Sequence, residues 1–112
     1  VETCKEPRVI ACGYSFGSLA AAEAAAGDPR VAAVILVAPP VARMDASAIS
    51  RISCPGLVVA GHSDAYGPPG KVQEFLQGKD NLRFEVIPGA DHFFVKGLGT
   101  LAIAAREWLE GI

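Results

Sequence analysis

The sequence lacks the features that mark several common classes of protein. Its 112 residues carry 10 Lys and Arg against 12 Asp and Glu, so there is no basic excess of the kind that nucleic-acid-binding proteins need. Hydrophobic residues make up 51% of the chain and charged residues only 20%, which excludes an intrinsically disordered tail. The longest uncharged apolar run, residues 31–41, is too short to span a bilayer and contains two prolines. We therefore expect a small globular protein that binds neither nucleic acid nor membranes.

Cysteine is scarce and has no recognisable pattern. The chain has Cys4, Cys12 and Cys54, with no Cys-x-x-Cys pair and no Cys/His cluster. An odd number of cysteines without metal-ligand spacing predicts free thiols in a reducing compartment, rather than disulfides or a zinc site. Cys12 falls inside the first predicted strand, where we expect a small buried side chain. The charged N-terminal segment is no signal peptide, so the predicted location is cytoplasmic.

Short apolar segments alternate with helical segments along the chain. Apolar, β-branched runs bounded by Gly or Pro are typical of strands buried on both faces of a parallel sheet. The predicted strands are 8–12, 31–37, 57–60 and 82–87, of which the last alternates in polarity like a half-exposed edge strand. The predicted helices are 15–26, 71–77 and 100–110, with a short one over 45–51. This order predicts an α/β fold with a mostly parallel sheet of about four strands and flanking helices.

The strongest chemical signal is the sequence Gly13-Tyr14-Ser15-Phe16-Gly17, a G-x-S-x-G motif between the first strand and the first helix. A serine at such a sharp turn has a strained backbone, and its flanking glycines allow the strand and helix backbones to approach closely. Its hydroxyl then lies at a helix N-terminus, where developing negative charge is stabilised. The motif predicts that Ser15 is a nucleophile. The alternative is an ordinary serine in a glycine-rich turn.

A serine nucleophile needs a base, and the base needs an acid that orients it. His62 and His92 each follow a predicted strand, so both are expected at the sheet edge that holds Ser15. The chain order Ser, Asp, His favours Asp64 as the acid and His92 as the base, because His62 is too close in sequence to Asp64. Asp91 is the rival acid, although side chains of adjacent residues usually diverge. The simpler alternative for either histidine is a surface loop residue, and for His62 we prefer it.

At these residues the sequence resembles the α/β-hydrolase family, and it is similar in particular to the dienelactone-hydrolase-like and dipeptidyl-peptidase-like branches. The three motifs that carry the resemblance, in the family's order, are GYSFG at 13–17, GHSD at 61–64 and PGADHFF at 88–94. The resemblance implies that Ser15 is the nucleophile, Asp64 the triad acid and His92 the base. It also implies that the backbone N–H of Phe16 contributes to the oxyanion hole, and that no metal or organic cofactor is needed.

The resemblance covers only the second half of the family's fold. In a complete hydrolase the elbow follows the fifth strand, whereas here it follows the first, so residues 1–112 are expected to form a single partial domain. The loop that supplies the second oxyanion N–H would then be missing, and one such donor stabilises the transition state by about 3–4 kcal/mol. The strand from Arg8 to Cys12 would become an open apolar edge. We expect it to pair with a missing N-terminal piece or with a second copy in a dimer.

The predicted function is that of a serine hydrolase acting on a small carboxylic ester, thioester or amide through an acyl-enzyme. The segment between residues 37 and 54 is short and leaves little room for a lid, which favours a small substrate over a lipid. Tyr14, Tyr66 and Phe93 are candidates for an acyl pocket, with simple packing as the equal alternative. Two other functions stay open: a catalytically silent half-domain that acts in assembly or ligand binding through its open sheet edge, and an acyltransferase with the same triad.

Overall fold

The structure, a computed structural model, describes residues 8–112, so the predicted free thiol of Cys4 lies outside the described residues. The strands are β1 (Val9–Tyr14), β2 (Val31–Val37), β3 (Gly56–Gly61) and β4 (Leu82–Ile87). The helices are α1 (Phe16–Gly27), α2 (Pro69–Phe75) and α3 (Leu98–Gly111), and a 3-10 helix covers Ser47–Arg51. All neighbouring strands are parallel, in the order β1-β2-β3-β4. The predicted α/β fold is confirmed.

Two separate apolar clusters lie on the two faces of the sheet, because successive side chains of a strand point to opposite sides. On one face Leu36 and Val58 belong to a cluster that α1, α2 and the 3-10 helix complete. On the other face Leu57 and Val59 belong to a cluster that includes Trp108 of α3. Strand β3 is buried along its whole length, which explains its continuous apolar sequence.

The predicted helices are confirmed with boundaries shifted by no more than two residues. Helix α2 begins at Pro69. Proline is favoured in the first turn of a helix, because the N–H that it lacks would have no hydrogen-bond partner there. Helix α3 begins after Gly97, whose φ of 88° is a left-handed conformation that favours glycine. The short helix predicted over 45–51 is the 3-10 helix, and the Asp45 carboxylate accepts the N–H of Ser47 before it, at 2.9 Å.

Strand β1 is the open edge of the described sheet, as the resemblance implied. The prediction of burial on both faces is wrong for this strand, since Val9 and Ile10 each expose 48% of their surface and Tyr14 exposes 46%. The prediction that Cys12 is buried is also wrong, because this free thiol is exposed. A continuous apolar run indicates that a strand can be buried. Whether the strand is buried depends on whether another element packs against it. No strand of the described chain lies on the far side of β1.

A single residue, Ser15, joins β1 to α1. Its φ of 56° and ψ of −124° are uncommon for any residue with a side chain. The Ser15 N–H donates to the Val37 carbonyl oxygen at 2.8 Å, which fixes the turn to β2. The Ser15 carbonyl oxygen accepts two hydrogen bonds from Ser18. One comes from the Ser18 backbone N–H at 2.9 Å, and the other from the buried Ser18 hydroxyl at 2.6 Å. These contacts hold the strained backbone from both sides.

The two glycines of the elbow have different surroundings. A Cβ atom at Gly13 would lie 2.1 Å from the carbonyl oxygen of Gly17, so the strand and helix backbones touch at this point. A Cβ atom at Gly17 would meet nothing within 4 Å in the part of the chain that the structure describes. The close approach predicted for both positions therefore occurs at Gly13, and the steric reason predicted for Gly17 is wrong.

We predict that Gly13→Ala destabilises the protein and that Gly17→Ala does not. The added methyl group at Gly13 collides with backbone atoms that cannot rotate away, so the free energy of unfolding should fall by about 1–3 kcal/mol or more. Alanine at Gly17 improves the helix propensity of α1 by up to about 1 kcal/mol. Urea unfolding followed by circular dichroism measures both changes. Equal stability of Gly13→Ala and the unmodified chain would contradict the prediction.

Candidate active site

Three polar side chains meet at the carboxyl end of the sheet, and each belongs to the loop after a different strand. Ser15 follows β1, Asp64 lies in the loop after β3, and His92 lies in the loop after β4. In a parallel sheet these ends share one edge, so the loops converge there. Asp64 and His92 are buried, with 2% and 5% of their surface exposed, while Ser15 is partly exposed. The site thus combines a sheltered acid and base with a reachable hydroxyl.

The His92 imidazole bridges the hydroxyl and the carboxylate. Its Nε2 lies 2.7 Å from the Ser15 Oγ, and its Nδ1 lies 2.9 Å from the Asp64 Oδ2. An ionised carboxylate only accepts hydrogen bonds, so it selects the tautomer with the proton on Nδ1. Nε2 is then free to accept the Ser15 hydroxyl proton. A hydroxyl, an imidazole and a carboxylate that are hydrogen-bonded in this order can activate the hydroxyl as a nucleophile, with the imidazole as general base.

The second oxygen of the Asp64 carboxylate is held by the backbone. Its Oδ1 accepts the N–H of Tyr66 at 2.8 Å and the N–H of Gly67 at 3.0 Å. A Cβ at Gly67 would lie 2.1 Å from the Pro39 carbonyl oxygen, so only glycine fits between this turn and the loop after β2. Because Oδ1 is occupied, Oδ2 faces His92 in a fixed orientation.

Tyr14 ties the elbow to the histidine loop. Its hydroxyl donates to the His92 carbonyl oxygen at 2.6 Å. Burial raises the pKa of the Tyr14 phenol, and the negative charges of Asp64 and Asp91 raise that pKa further. The phenol therefore keeps its proton at neutral pH and remains a hydrogen-bond donor. This contact links the residue before the candidate nucleophile directly to the residue that carries the candidate base.

Backbone strain is concentrated around the site. Among residues 8–112, three that are not glycine have a positive φ: Ser15 at 56°, Ala38 at 53° and Phe94 at 51°. Ala38 follows β2 and donates its N–H to the Val59 carbonyl oxygen at 2.7 Å, and Phe94 lies in the histidine loop. Such conformations cost about 1–3 kcal/mol each and cluster at functional sites. Of these three residues, only Ser15 lies in a sequence motif that predicts a strained backbone.

The two rival candidates lie apart from the relay. Asp91 accepts the N–H of Phe93 at 3.0 Å and so stabilises its own loop rather than the His92 ring. His62 is exposed, although its backbone N–H donates to the Ile87 carbonyl oxygen at 3.0 Å. The structure therefore brings together Ser15, Asp64 and His92 and leaves these two outside.

The three aromatic residues proposed for an acyl pocket separate into two groups. Tyr14 and Phe93 line an apolar cavity of about 350 Å³. The other lining residues are Val37, Phe94, Leu98 and Leu101. Tyr66 is not among them. Its ring stacks on the His92 imidazole with the centroids 4.4 Å apart and meets the Phe93 ring edge-on at 6.0 Å. No motif predicts this stacking, since it depends on how the loops after β3 and β4 meet.

Phe16 begins α1, directly after the candidate nucleophile. The first N–H groups of a helix have no partner inside it, and they carry its partial positive charge. The Phe16 N–H is therefore a candidate oxyanion donor next to Ser15 in the chain. A second donor from a strand beyond β1 is absent from residues 8–112, because β1 is the edge of the described sheet.

Neither a metal cluster nor a membrane span is found in the described part of the chain. Residues 8–112 contain no group of three or more His, Cys, Asp and Glu side chains that could hold a metal ion. None of the described helices is long and apolar enough to cross a bilayer.

Residues 1–108 match the model of a family described as "Dienelactone hydrolase family". No curated protein sequence matches the chain. Among solved structures, an α/β serine hydrolase homologue from Coxiella burnetii is 33% identical, with a TM-score of 0.70 over 91% of this chain and 47% of that one. A dienelactone hydrolase from Anabaena variabilis is 29% identical, with a TM-score of 0.76 over 93% of this chain and 49% of that one.

A putative α/β hydrolase from Agrobacterium tumefaciens has a TM-score of 0.85 over 92% of this chain and 50% of its own. At 22% identity, this similarity shows the fold alone. This chain spans about half the length of each of these three proteins. Of the two branches that the motifs indicated, the matches support the dienelactone-hydrolase-like one.

Proposed function

Because the chain belongs to the dienelactone hydrolase family, we propose that it supplies the catalytic triad of a serine hydrolase. The observation that carries the proposal is the unbroken series of hydrogen bonds from the Ser15 hydroxyl through His92 to Asp64, at 2.7 and 2.9 Å. Two backbone N–H groups fix the far side of the carboxylate, and the elbow fixes the hydroxyl. Preorganisation of this kind is what nucleophilic catalysis requires.

In the proposed mechanism, the Ser15 Oγ attacks the carbonyl carbon of the substrate while the His92 Nε2 takes the hydroxyl proton. The imidazolium that forms is stabilised by the Asp64 carboxylate, and the oxyanion by the Phe16 N–H. The leaving group departs with the proton from His92, which leaves an acyl group on Ser15. Water then attacks the acyl carbon while His92 takes its proton. The bond from the acyl carbon to the Ser15 Oγ breaks, and His92 returns the proton to that oxygen, which releases the acid and restores the Ser15 hydroxyl. These steps use no metal or organic cofactor.

The surroundings of the triad support a small carboxylic ester, thioester or amide as substrate. Tyr14 and Phe93, the chain neighbours of Ser15 and His92, line an apolar cavity into which an apolar part of the substrate would fit. The segment between β2 and β3 is short and buries Ile49 and Ile52 in the core. It therefore leaves little room for a lid, which favours a small substrate. An acceptor other than water would make the same triad an acyltransferase.

Substitution of the triad tests the proposal. We expect Ser15→Ala, His92→Ala and Asp64→Ala each to lower kcat for p-nitrophenyl acetate hydrolysis by at least about 10³-fold, because each removes one link of the relay. Labelling of Ser15 by a fluorophosphonate probe, measured by mass spectrometry, should fall in the two variants that retain the serine. Added alcohols or thiols that divert the product from acid to ester or thioester would identify acyl transfer.

Matched controls come from the two rival residues. His62→Ala removes an exposed histidine, and Asp91→Asn keeps an oxygen that accepts the Phe93 N–H, so both variants should retain activity within about twofold. Hydrolysis by the unmodified chain that survives in Ser15→Ala would contradict the proposal. A folded chain with neither turnover nor labelling would instead support a catalytically silent half-domain.

A second proposal concerns the open edge of the sheet. We propose that β1 pairs with polypeptide outside residues 1–112. This polypeptide would take the place of the half of the similar structures that residues 1–112 do not span. The exposed apolar side chains of β1 support this. The added strand would satisfy the free backbone groups of β1 and bring a second oxyanion donor near Ser15.

Charge placed on the edge tests this proposal. Residues 1–112 alone should self-associate through β1, and Ile10→Lys should suppress association because charged side chains block strand pairing. Val95→Lys is the control, since Val95 is 80% exposed but lies outside the sheet. Native mass spectrometry measures the oligomeric state. A monomer that persists at high concentration would contradict the need for a partner, whereas a discrete active dimer lost in Ile10→Lys would identify a second copy as the partner.

A further inference from the structure

Tyr66 contacts both the base and the acid of the proposed triad. Its ring stacks on the His92 imidazole, with the centroids 4.4 Å apart and the planes inclined by 27°. Its backbone N–H donates to the Asp64 Oδ1 at 2.8 Å. The Arg43 guanidinium also lies over the Tyr66 ring, with its central carbon 4.5 Å from the ring centroid. The proposed mechanism assigns no role to the ring or to Arg43.

The backbone around Tyr66 is anchored to the turn that carries Arg43. The Tyr66 carbonyl oxygen accepts the N–H of Ala42 at 2.9 Å, and the N–H of Arg43 donates to the Pro40 carbonyl oxygen at 3.0 Å. The loops after β2 and β3 are therefore joined beside the ring, and the stacking contact joins them to the loop after β4. A ring anchored through its backbone and covered by a guanidinium has little freedom to move away from His92.

The imidazole of His92 needs this support because its two hydrogen bonds lie in the plane of its ring. A rotation of the ring out of that plane would lengthen the contacts to Ser15 and Asp64 together. The Tyr66 ring packs nearly parallel to the imidazole, and Phe93 meets the imidazole edge-on at 5.3 Å and 84°. Tyr14 is also nearly parallel to the imidazole, but at 5.9 Å it is more distant. The closest of these aromatic contacts is therefore the one with Tyr66.

We propose that Tyr66 is a positioning residue that holds the His92 imidazole in the plane joining Ser15 to Asp64, and that Arg43 holds the Tyr66 ring in place. This inference rests on the proposed function. The Tyr66 hydroxyl makes no hydrogen bond within residues 8–112, so the ring and the backbone N–H carry the effect. Phenylalanine should therefore replace Tyr66, and a residue without an aromatic ring should not.

The test compares Tyr66→Leu with Tyr66→Phe in ester hydrolysis. Tyr66→Leu keeps the backbone N–H to Asp64 but loses the stacking ring, so kcat should fall by about tenfold or more with KM nearly unchanged. Tyr66→Phe should restore kcat to within about twofold. Arg43→Met should lower kcat by a smaller factor than Tyr66→Leu, and Arg43→Lys, which keeps a cation for the ring, should recover part of the loss.

A proton NMR signal separates positioning from general stability. The His92 Nδ1 proton, held against the Asp64 carboxylate, should give a far-downfield resonance in the unmodified chain and in Tyr66→Phe. It should broaden or disappear in Tyr66→Leu. Phe75→Leu is the control, because Phe75 is a partly buried aromatic residue that packs on the cluster containing Leu36 and Val58 and makes no aromatic contact with His92 among the described residues. It should lower the unfolding midpoint but leave kcat and the resonance unchanged.

The outcomes distinguish this inference from the proposed function. If Ser15→Ala abolishes hydrolysis while Tyr66→Leu keeps both kcat and the resonance, the positioning role is overturned and the hydrolase stands. If Ser15→Ala has no effect on hydrolysis, the proposed function fails, and the resonance alone then decides whether Tyr66 orders His92. A resonance lost equally in Phe75→Leu would overturn the inference, since global loosening would then explain it.

Discussion

The backbone of Ser15 is the constraint on which the rest of the site depends. A strand that runs directly into a helix through one residue forces that residue to a positive φ, and the chain holds it there with hydrogen bonds to β2 and from Ser18. The same turn brings the β1 and α1 backbones into contact at Gly13, so no side chain fits there. In return the hydroxyl stands at the start of α1 and faces the loops of the other strands. A relaxed loop at this position would leave His92 without its hydroxyl partner.

The loops after β2, β3 and β4 form the second layer of this arrangement. Their backbones are joined directly: Ala42 donates to Tyr66, and Ser63 donates to the carbonyl oxygen of Ala90 at 2.9 Å. A Cβ at Gly61 would lie 2.6 Å from that same carbonyl oxygen, so the loops after β3 and β4 are in close contact. The candidate acid and base are therefore positioned by backbone contacts between loops, and their short hydrogen bond is a consequence of the packing.

Much of this could be predicted from the sequence, and the failures share a physical cause. The strands and helices follow from local periodicity, and the convergence of their loops follows from the rule that parallel strands end at one edge. The choice of Asp64 and His92 rests on the chain order Ser, Asp, His. The exposure of β1 does not follow from its apolar run, which records what a strand can bury and not whether another element covers it. Only the resemblance implied the open edge. The stacking of Tyr66 on His92 and the strain at Ala38 and Phe94 depend on how distant loops meet, and a single sequence does not encode that as a motif. At Gly17 the motif predicted a steric constraint that the structure does not show, because a Cβ atom there would meet nothing within 4 Å in the described residues.

The proposed chemistry has two parts, proton transfer and stabilisation of the oxyanion, and the described residues supply the groups for the first more completely than for the second. Proton transfer needs Ser15, His92 and Asp64, and all three lie in place with short hydrogen bonds. Stabilisation of the oxyanion needs two or more aimed donors, and the donor identified in the described residues is the Phe16 N–H at the N-terminus of α1. Loss of one donor costs about 10²–10³ in kcat. Polypeptide added at β1 would therefore act mainly through electrostatics at the transition state, and the relay of Ser15, His92 and Asp64 would need no rearrangement to receive it.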